Sequence, residues 1–332
     1  MDDEYNDTAE RLKALEERLK KEYEQASREV KEELDRYLEA FKKKDAEMYA
    51  LVQKGKMTVK DYAGWRMGQI AVGQRWQIMV DVLAQDYQNA NAIARQMIYG
   101  EVVETWANNY NYGVYELESA YGIDTSLVLY DRHAVEYLVT KDPRLLPMPS
   151  PAKLERMKAA GELLWERQVI QSVMIQSILQ GDSIPQIAKR LATTVGERNY
   201  HAAVRNARTM TTAASNAGRT EAYKKGEELG ITGKRQWVAV IDGRTRHAHR
   251  QVDGQERGAN EPFDVDGHEM MYPADESAPA YLVYNCRCGI KYVPSRYTPT
   301  AFKTREVRGG YSSYEEWKKS KPVYEQRKKA TK

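Results

Sequence analysis

The stretch that decides the fold runs Trp237-Val-Ala-Val-Ile-Asp242-Gly-Arg-Thr-Arg-His-Ala-His249, continues through Asp253-Gly254 and Tyr272-Pro273, and ends at Asn285-Cys-Arg-Cys288. It contains three of the five histidines, His247, His249 and His268, and both cysteines. Side chains able to bind a soft metal therefore converge on a segment too small to bury a large core. Trp237 to Ile241 reads as a buried strand, Asp242-Gly243 as its turn, and Thr245 to Val252 as a short helix closed by Asp253-Gly254. A second strand is expected over Tyr281 to Tyr284, running into a Cys-Arg-Cys knuckle, with Ile290 to Val293 completing a small sheet.

Upstream, the chain reads as helical. From Leu12 the apolar positions Leu15, Leu19, Tyr23, Ala26, Val30, Leu34, Tyr37 and Phe41 follow gaps of 3 and 4 that sum to an eleven-residue repeat. That period lies close to the natural 3.6 of a helix and predicts one long helix over about 8–45 with its stripe on one face. A second helical region carries Tyr62, Trp65, Ile70, Trp76, Ile78, Met79, Val82 and Leu83, with Gly64, Gly68 and Gly73 weakening it as one unbroken helix. Asn108 to Gly113 reads as turn-rich and aromatic, and Leu127 to Tyr130 as a short strand or buried segment. Pro147, Pro149 and Pro151 mark a break. Two further helices follow, Ala152 to Leu179 and Ile184 to Leu229, joined at Gln180-Gly-Asp-Ser183, where Ser183 can cap the second. Gly230 and Gly233 end the helical part.

The expected architecture is mainly α with a small C-terminal α+β module. Its parts are a long N-terminal helix (1–57), a helical, Tyr-rich region (58–146), a helical hairpin region (150–235), the module (236–295) and a basic tail (296–332).

Composition bounds the function classes. Of the 332 residues, 30% are charged, the mean hydropathy is −0.74, and no apolar run approaches the roughly 20 residues needed to cross a bilayer. No membrane partner is expected. Met1-Asp-Asp-Glu4 is acidic with no apolar segment behind it, unlike a secretory signal. Two cysteines one residue apart make a poor disulfide framework. A reducing cytoplasm is the expected site of synthesis. Net charge is +3, yet Arg287 to Lys332 holds 13 Lys or Arg against 4 Glu. That basic end suggests an anionic partner, with Lys318, Lys319, Lys321, Arg327, Lys328 and Lys329 as candidates for non-specific contact with double-stranded DNA.

In the module, thiols of Cys286 and Cys288 in extended backbone share one face while Arg287 points to the other. His249 from the short helix, with His268 from a loop as fourth donor, would make one structural zinc site. The alternative is no cofactor: a metal-free knot of buried thiols, with His249 hydrogen-bonded nearby and Arg244, Arg246 and Arg287 forked onto Asp242, Asp253 or Asp275. A third reading makes His249 a general base beside Asp242 or a metal, as in a DNA-associated hydrolase or nuclease. Against catalysis, there is no nucleophile motif, Gly-rich phosphate loop or carboxylate cluster.

At these residues the module resembles the C-terminal domain of the phage Mu F-like head-morphogenesis family, minor capsid proteins associated with the portal of tailed phages. The resemblance is carried by Trp237, Asp242, Arg244, Thr245, Arg246, His249, Asp253, Gly254, Phe263, Pro273, Asn285, Cys286, Arg287 and Cys288, and by Arg205 to Thr209 and Ala214 to Tyr223 in the helix before them. Some relatives oppose a Cys-x-x-Cys pair to the Cys-Arg-Cys and suggest a four-thiolate zinc site; this chain has Arg246 and His249 at those positions. Some also carry a toxin domain after the module, for which the 44 residues beyond Cys288 are too few. The resemblance implies a non-enzymatic assembly role near the portal, in contact with portal protein, scaffold, major capsid protein or packaged DNA. It also implies a place inside the virion after assembly in the host cytoplasm.

Overall fold

The computed structural model describes residues 3–71, 74–148, 165–177, 180, 182, 184–296 and 313–324. Three long helices dominate it: α1 (Asp3–Gln53), α3 (Gln74–Tyr121) and α7 (Arg198–Glu228). Between them lie α2 (Val59–Ala71), α4 (Arg132–Lys141), α5 (described over 165–177) and α6 (Ile184–Leu191). The Ser183 cap and the prolines at 149 and 151 fall outside the described residues. Two compact units emerge from distant stretches of chain: one from 1–16, 97–149 and 205–332, the other from 17–96 and 150–204.

In the second unit the stripe of α1 is buried as its period requires, at Leu19, Tyr23, Ala26, Val30, Leu34 and Leu38. Leu38, rather than the expected Tyr37, continues the stripe toward the C-terminal end. Ile170, Met174, Ile187, Leu191 and Val195 bury their side chains in the same unit. The helical path widens to a π-turn over Ala192–Glu197 before α7 begins.

The first unit is built on a close approach of α7 to α3. A Cβ at Gly218 would lie 2.4 Å from the Trp106 carbonyl oxygen, and one at Gly113 would lie 2.8 Å from Ala222 Cβ. Small residues there let the backbones meet. Arg219, fully buried in this seam, donates to Asn109 (3.1 Å), pairs with Glu116 (3.3 Å) and stacks on Tyr5 and Tyr112. This corrects the expected turn at 108–113, which is unbroken α3. Asn109 bonds Thr8 and Ser215, and Asn111 bonds both backbone groups of Tyr130. Tertiary hydrogen bonds override the local turn preference of Asn.

α7 stops at Gly230, whose φ of +85° suits only glycine, while Ile231 N closes back on Gly226 O. A three-stranded antiparallel sheet follows, ordered β2-β1-β5, from β1 (Gly233–Val238), β2 (Glu256–Arg257) and β5 (Gly289–Pro294). The helix α8 (His247–Val252) sits between β1 and β2. β1 ends three residues short of the expected Ile241 because Ala239 N turns to the Asp253 carboxylate and Val240 O to the Thr245 hydroxyl. A hairpin of β3 (Phe263–Val265) and β4 (His268–Met270) turns at Asp266-Gly267, both at positive φ, the signature of a type I′ turn. His268 is therefore in a strand, not on the expected loop.

The expected strand at Tyr281–Tyr284 is instead the helical turn α9 (Ala280–Val283). A short apolar run does not distinguish strand from helix by periodicity, and Pro279 at its N-cap position favours the helical turn. Finally, α10 (Tyr314–Lys319), capped by Ser313, packs its Trp317 in the core, and the chain after it pairs with Leu129.

Candidate functional site

The motif residues of the module are mostly devoted to holding its backbone. Asp242 closes an Asx turn by accepting from Arg244 N (2.8 Å), and Asp242 N donates to the Thr245 hydroxyl (2.9 Å). Arg287 grips the same carboxylate with both guanidinium nitrogens at 2.7 and 2.8 Å, and Arg244 stands 3.6 Å away. The forked pair with Arg287 holds the Asp242 carboxyl below the usual carboxylate range. Asp253 fastens the end of α8 to the end of β1 through Ala239 N (2.8 Å), and Gly254, at φ +78°, returns its N–H to Trp237 O. Phe263 stands edge-on to Trp237, both fully buried. Asn285 takes a left-handed φ of +55° and donates its N–H to Thr209 of α7.

Cys286, Cys288 and His249 meet at the centre of this frame, all buried, with their ligand atoms within 4.8 Å of one another. His249 Nδ1 lies 3.3 Å from Cys288 Sγ and 3.7 Å from Cys286 Sγ. Asn216 of α7 binds the backbone on either side by donating to Cys288 O (3.1 Å) and accepting from Ile290 N (3.0 Å). The cluster sits where the sheet joins the long helix.

Electrostatics within the cluster are asymmetric. Hydrogen bonding with Cys286, together with contact to His249, lowers the Cys288 thiol below its ordinary value. The Cys286 thiol is pushed well up by the same hydrogen bond and by burial.

Three donors fit a metal in spacing, since tetrahedral Zn–S and Zn–N bonds imply donor separations of about 3.6 Å. Two observations weigh against the full zinc site. His268 does not join the cluster; its ring lies 6.2 Å from Tyr281 instead. A histidine bound through Nδ1 also normally donates its Nε2–H to an acceptor, and buried His249 Nε2 has no partner among the described residues. The arrangement as it stands is a buried knot of two cysteine sulfurs and an imidazole that could hold a metal with three protein donors.

No hydrogen bond joins His249 to Asp242 among the described residues: the carboxylate is taken by Arg287, and the imidazole faces the sulfurs. Of the tail lysines expected to meet DNA, Lys321 is an internal strut, 2.7 Å from both Glu118 and Asp124 with its side chain 5% exposed. Lys318 lies over the Tyr314 ring and Lys319 is exposed, while Arg327, Lys328 and Lys329 lie outside the described residues. Sequence reasoning missed Arg235. This guanidinium is fully buried in β1 and donates to the carbonyls of Gly258 (2.8 Å), Glu261 and Met271; burial lowers it to about 10. Its strand alternation, inward with Trp237, was the available signal.

Residues 168–291, which include every one of these motif positions, match the family described as Phage Mu protein F like protein. Over these residues the chain is similar to the phage Mu F-like family. It is 23% identical over 317 residues to the minor head protein GP7 of Bacillus phage SPP1, covering 92% of each chain. It is 30% identical over 210 residues to the NAD(+)–arginine ADP-ribosyltransferase EFV of Enterococcus faecalis. That alignment takes in 62% of this chain but spans only 41% of the transferase's length. No solved structure gives a significant match. No helix among the described residues is long and apolar enough to cross a membrane.

Proposed function

We propose that the protein is a minor head protein of a tailed phage, incorporated near the portal during procapsid assembly and in contact with packaged DNA. The observation that carries this is the alignment with a minor head protein over 92% of both chains, which reaches well beyond residues 168–291 into the long helices. The site's chemistry supports a structural role for the domain. Asp242, Arg287, Thr245, Asp253 and Asn285 are all engaged in fixing backbone, and the thiols are buried. A hydrolase or nuclease would need His249 and Asp242 open to substrate; one is 2% exposed and the other is clamped. The EFV alignment covers too little of that protein to bring its activity here.

The direct partner on this reading is the portal protein, with scaffold or major capsid protein as further contacts in the head interior. Co-expression with the portal protein of the same phage tests it. A complex that survives co-purification at moderate salt is expected, and a folded chain that fails to associate would overturn portal placement. Zinc measured in the same sample decides between the metal-free knot and a three-donor metal site.

A further inference from the structure

We propose that the DNA-contacting surface is an arginine face within residues 168–291, formed by Arg205, Arg244, Arg246, Arg250 and Arg287 around Tyr284, and that it binds the phosphate backbone of duplex DNA. This rests on the minor-head reading and names the surface that would touch the packaged genome.

The residues form two groups that share the segments 242–250 and 284–287, one about Asp242 and one about Tyr284. Arg287 and Arg244 flank the Asp242 carboxylate, and Arg250 donates to the Asp242 carbonyl at 2.6 Å. Arg246 donates to the Tyr284 carbonyl, and Arg205 of α7 lies 4.9 Å over the Tyr284 ring. Tyr284 is 40% exposed and Arg244 is 81% exposed, so the patch faces solvent.

Its charge is unbalanced. Between residues 236 and 295 the chain has nine acidic residues against six cationic ones, so the domain as a whole is acidic. Yet of the five arginines named, only Arg287 and Arg244 meet a carboxylate, that of Asp242. Arg205, Arg246 and Arg250 have no carboxylate partner among the described residues, and Arg246 and Arg250 are held by neutral main-chain carbonyls. A carbonyl acceptor fixes a guanidinium without cancelling its charge. Five of the six cations in 236–295 are arginines, whose planar forks match phosphate oxygens better than lysine's point charge does. Positioned forks with uncancelled charge suit a regularly spaced polyanion, and the aromatic ring between them adds a flat surface at the sugar–phosphate edge. Of the C-terminal lysines, Lys321 is already neutralised inside the protein.

The test uses the full chain and a fluorescein-labelled duplex of mixed sequence, titrated by anisotropy across a salt series. Wild type should bind with a steep salt slope and little sequence preference. Replacing Arg205→Gln, Arg246→Gln and Arg250→Gln together should weaken binding about 10- to 100-fold and lower the slope by about 3. The pair Arg205→Gln and Arg250→Gln spares the Arg246 bond to Tyr284 and guards against a folding effect. It should keep the wild-type melting curve and lower the slope by about 2.

An unchanged slope in either variant with a normal melt overturns the proposal. So does a slope that is lost instead on Lys318→Gln and Lys319→Gln. If the triple variant keeps DNA binding but no longer co-purifies with the portal protein, the face is a protein contact and the proposal is wrong. If wild type binds the portal but no duplex, this surface fails while the minor-head reading stands. Binding to duplex with the predicted slopes but no portal complex would support the surface and remove portal placement.

Discussion

Among the described residues, buried charge is paired throughout one unit of the chain and only in part of the other. In the unit that contains 205–332, buried cations have assigned partners: Arg219 with Glu116, Lys321 with Glu118 and Asp124, and Arg235 with backbone carbonyls. In the unit built on 17–96 and 150–204, buried Glu166 accepts from Gln88, Asn91 and Asn199, whereas Asp86 Oδ2, a buried atom on a half-exposed side chain, has no partner among the described residues, and burial together with Glu29 and Glu33 raises its carboxyl to about 6. A paired buried charge fixes one arrangement because losing either partner is costly. An unpaired one marks a place where packing has not been optimised for stability. The first unit therefore fixes its arrangement through paired charge, and the second carries one carboxylate that costs stability when it ionises.

The sharpest way to break this contrast is Lys321→Ala, which strands Glu118 and Asp124 beside a buried Trp317. It should cost about 3–5 kcal/mol, seen as a lowered denaturant midpoint. A loss below about 1 kcal/mol would mean that the C-terminal segment does not lock the unit. Next in size is the sulfur knot. Cys288→Ala or His249→Ala leaves a buried partner unsatisfied and should destabilise by about 1–3 kcal/mol, with reduced incorporation into heads. Wild-type stability in either variant would remove the structural role assigned to the cluster.

The second unit should answer with the opposite sign. Folded Asp86 holds its proton to about pH 6, against 3.8 for an ordinary Asp, so folding takes up a proton between these values. Stability then falls as pH rises through that window, and the penalty is complete above it. Asp86→Asn should accordingly raise stability at pH 8 by about 1 kcal/mol, after allowing for solvent screening of a half-exposed group, and do little at pH 4. Thermal melts at the two pH values check this; a loss at pH 8 would show that the charge has a partner after all. The smallest effect is expected from Lys319→Gln, an exposed side chain, within about 0.5 kcal/mol of wild type.

How much of this was legible in the sequence follows the same division. The stripe of α1 could be read from spacing alone, because burial of one helical face needs only periodicity. The Cys286, Cys288 and His249 meeting was also readable, since the donors are scarce and concentrated. The fourth donor was not, because the Asp266-Gly267 turn that places His268 in a hairpin was passed over. Asn109 and Asn111 misled because their preference for turns is local while their partners, Arg219 and Tyr130, are distant in sequence. Lys321 misled for the same reason: a charge run shows the sign of a side chain but not the carboxylates that it meets.

The central claim is that this chain is a component of the phage head. Quantifying it by mass spectrometry in purified heads, produced from the locus that encodes it, tests that most directly. The account predicts that the chain co-sediments with the portal in a small, fixed ratio; its absence from purified heads made by cells that express it in folded form would contradict the account.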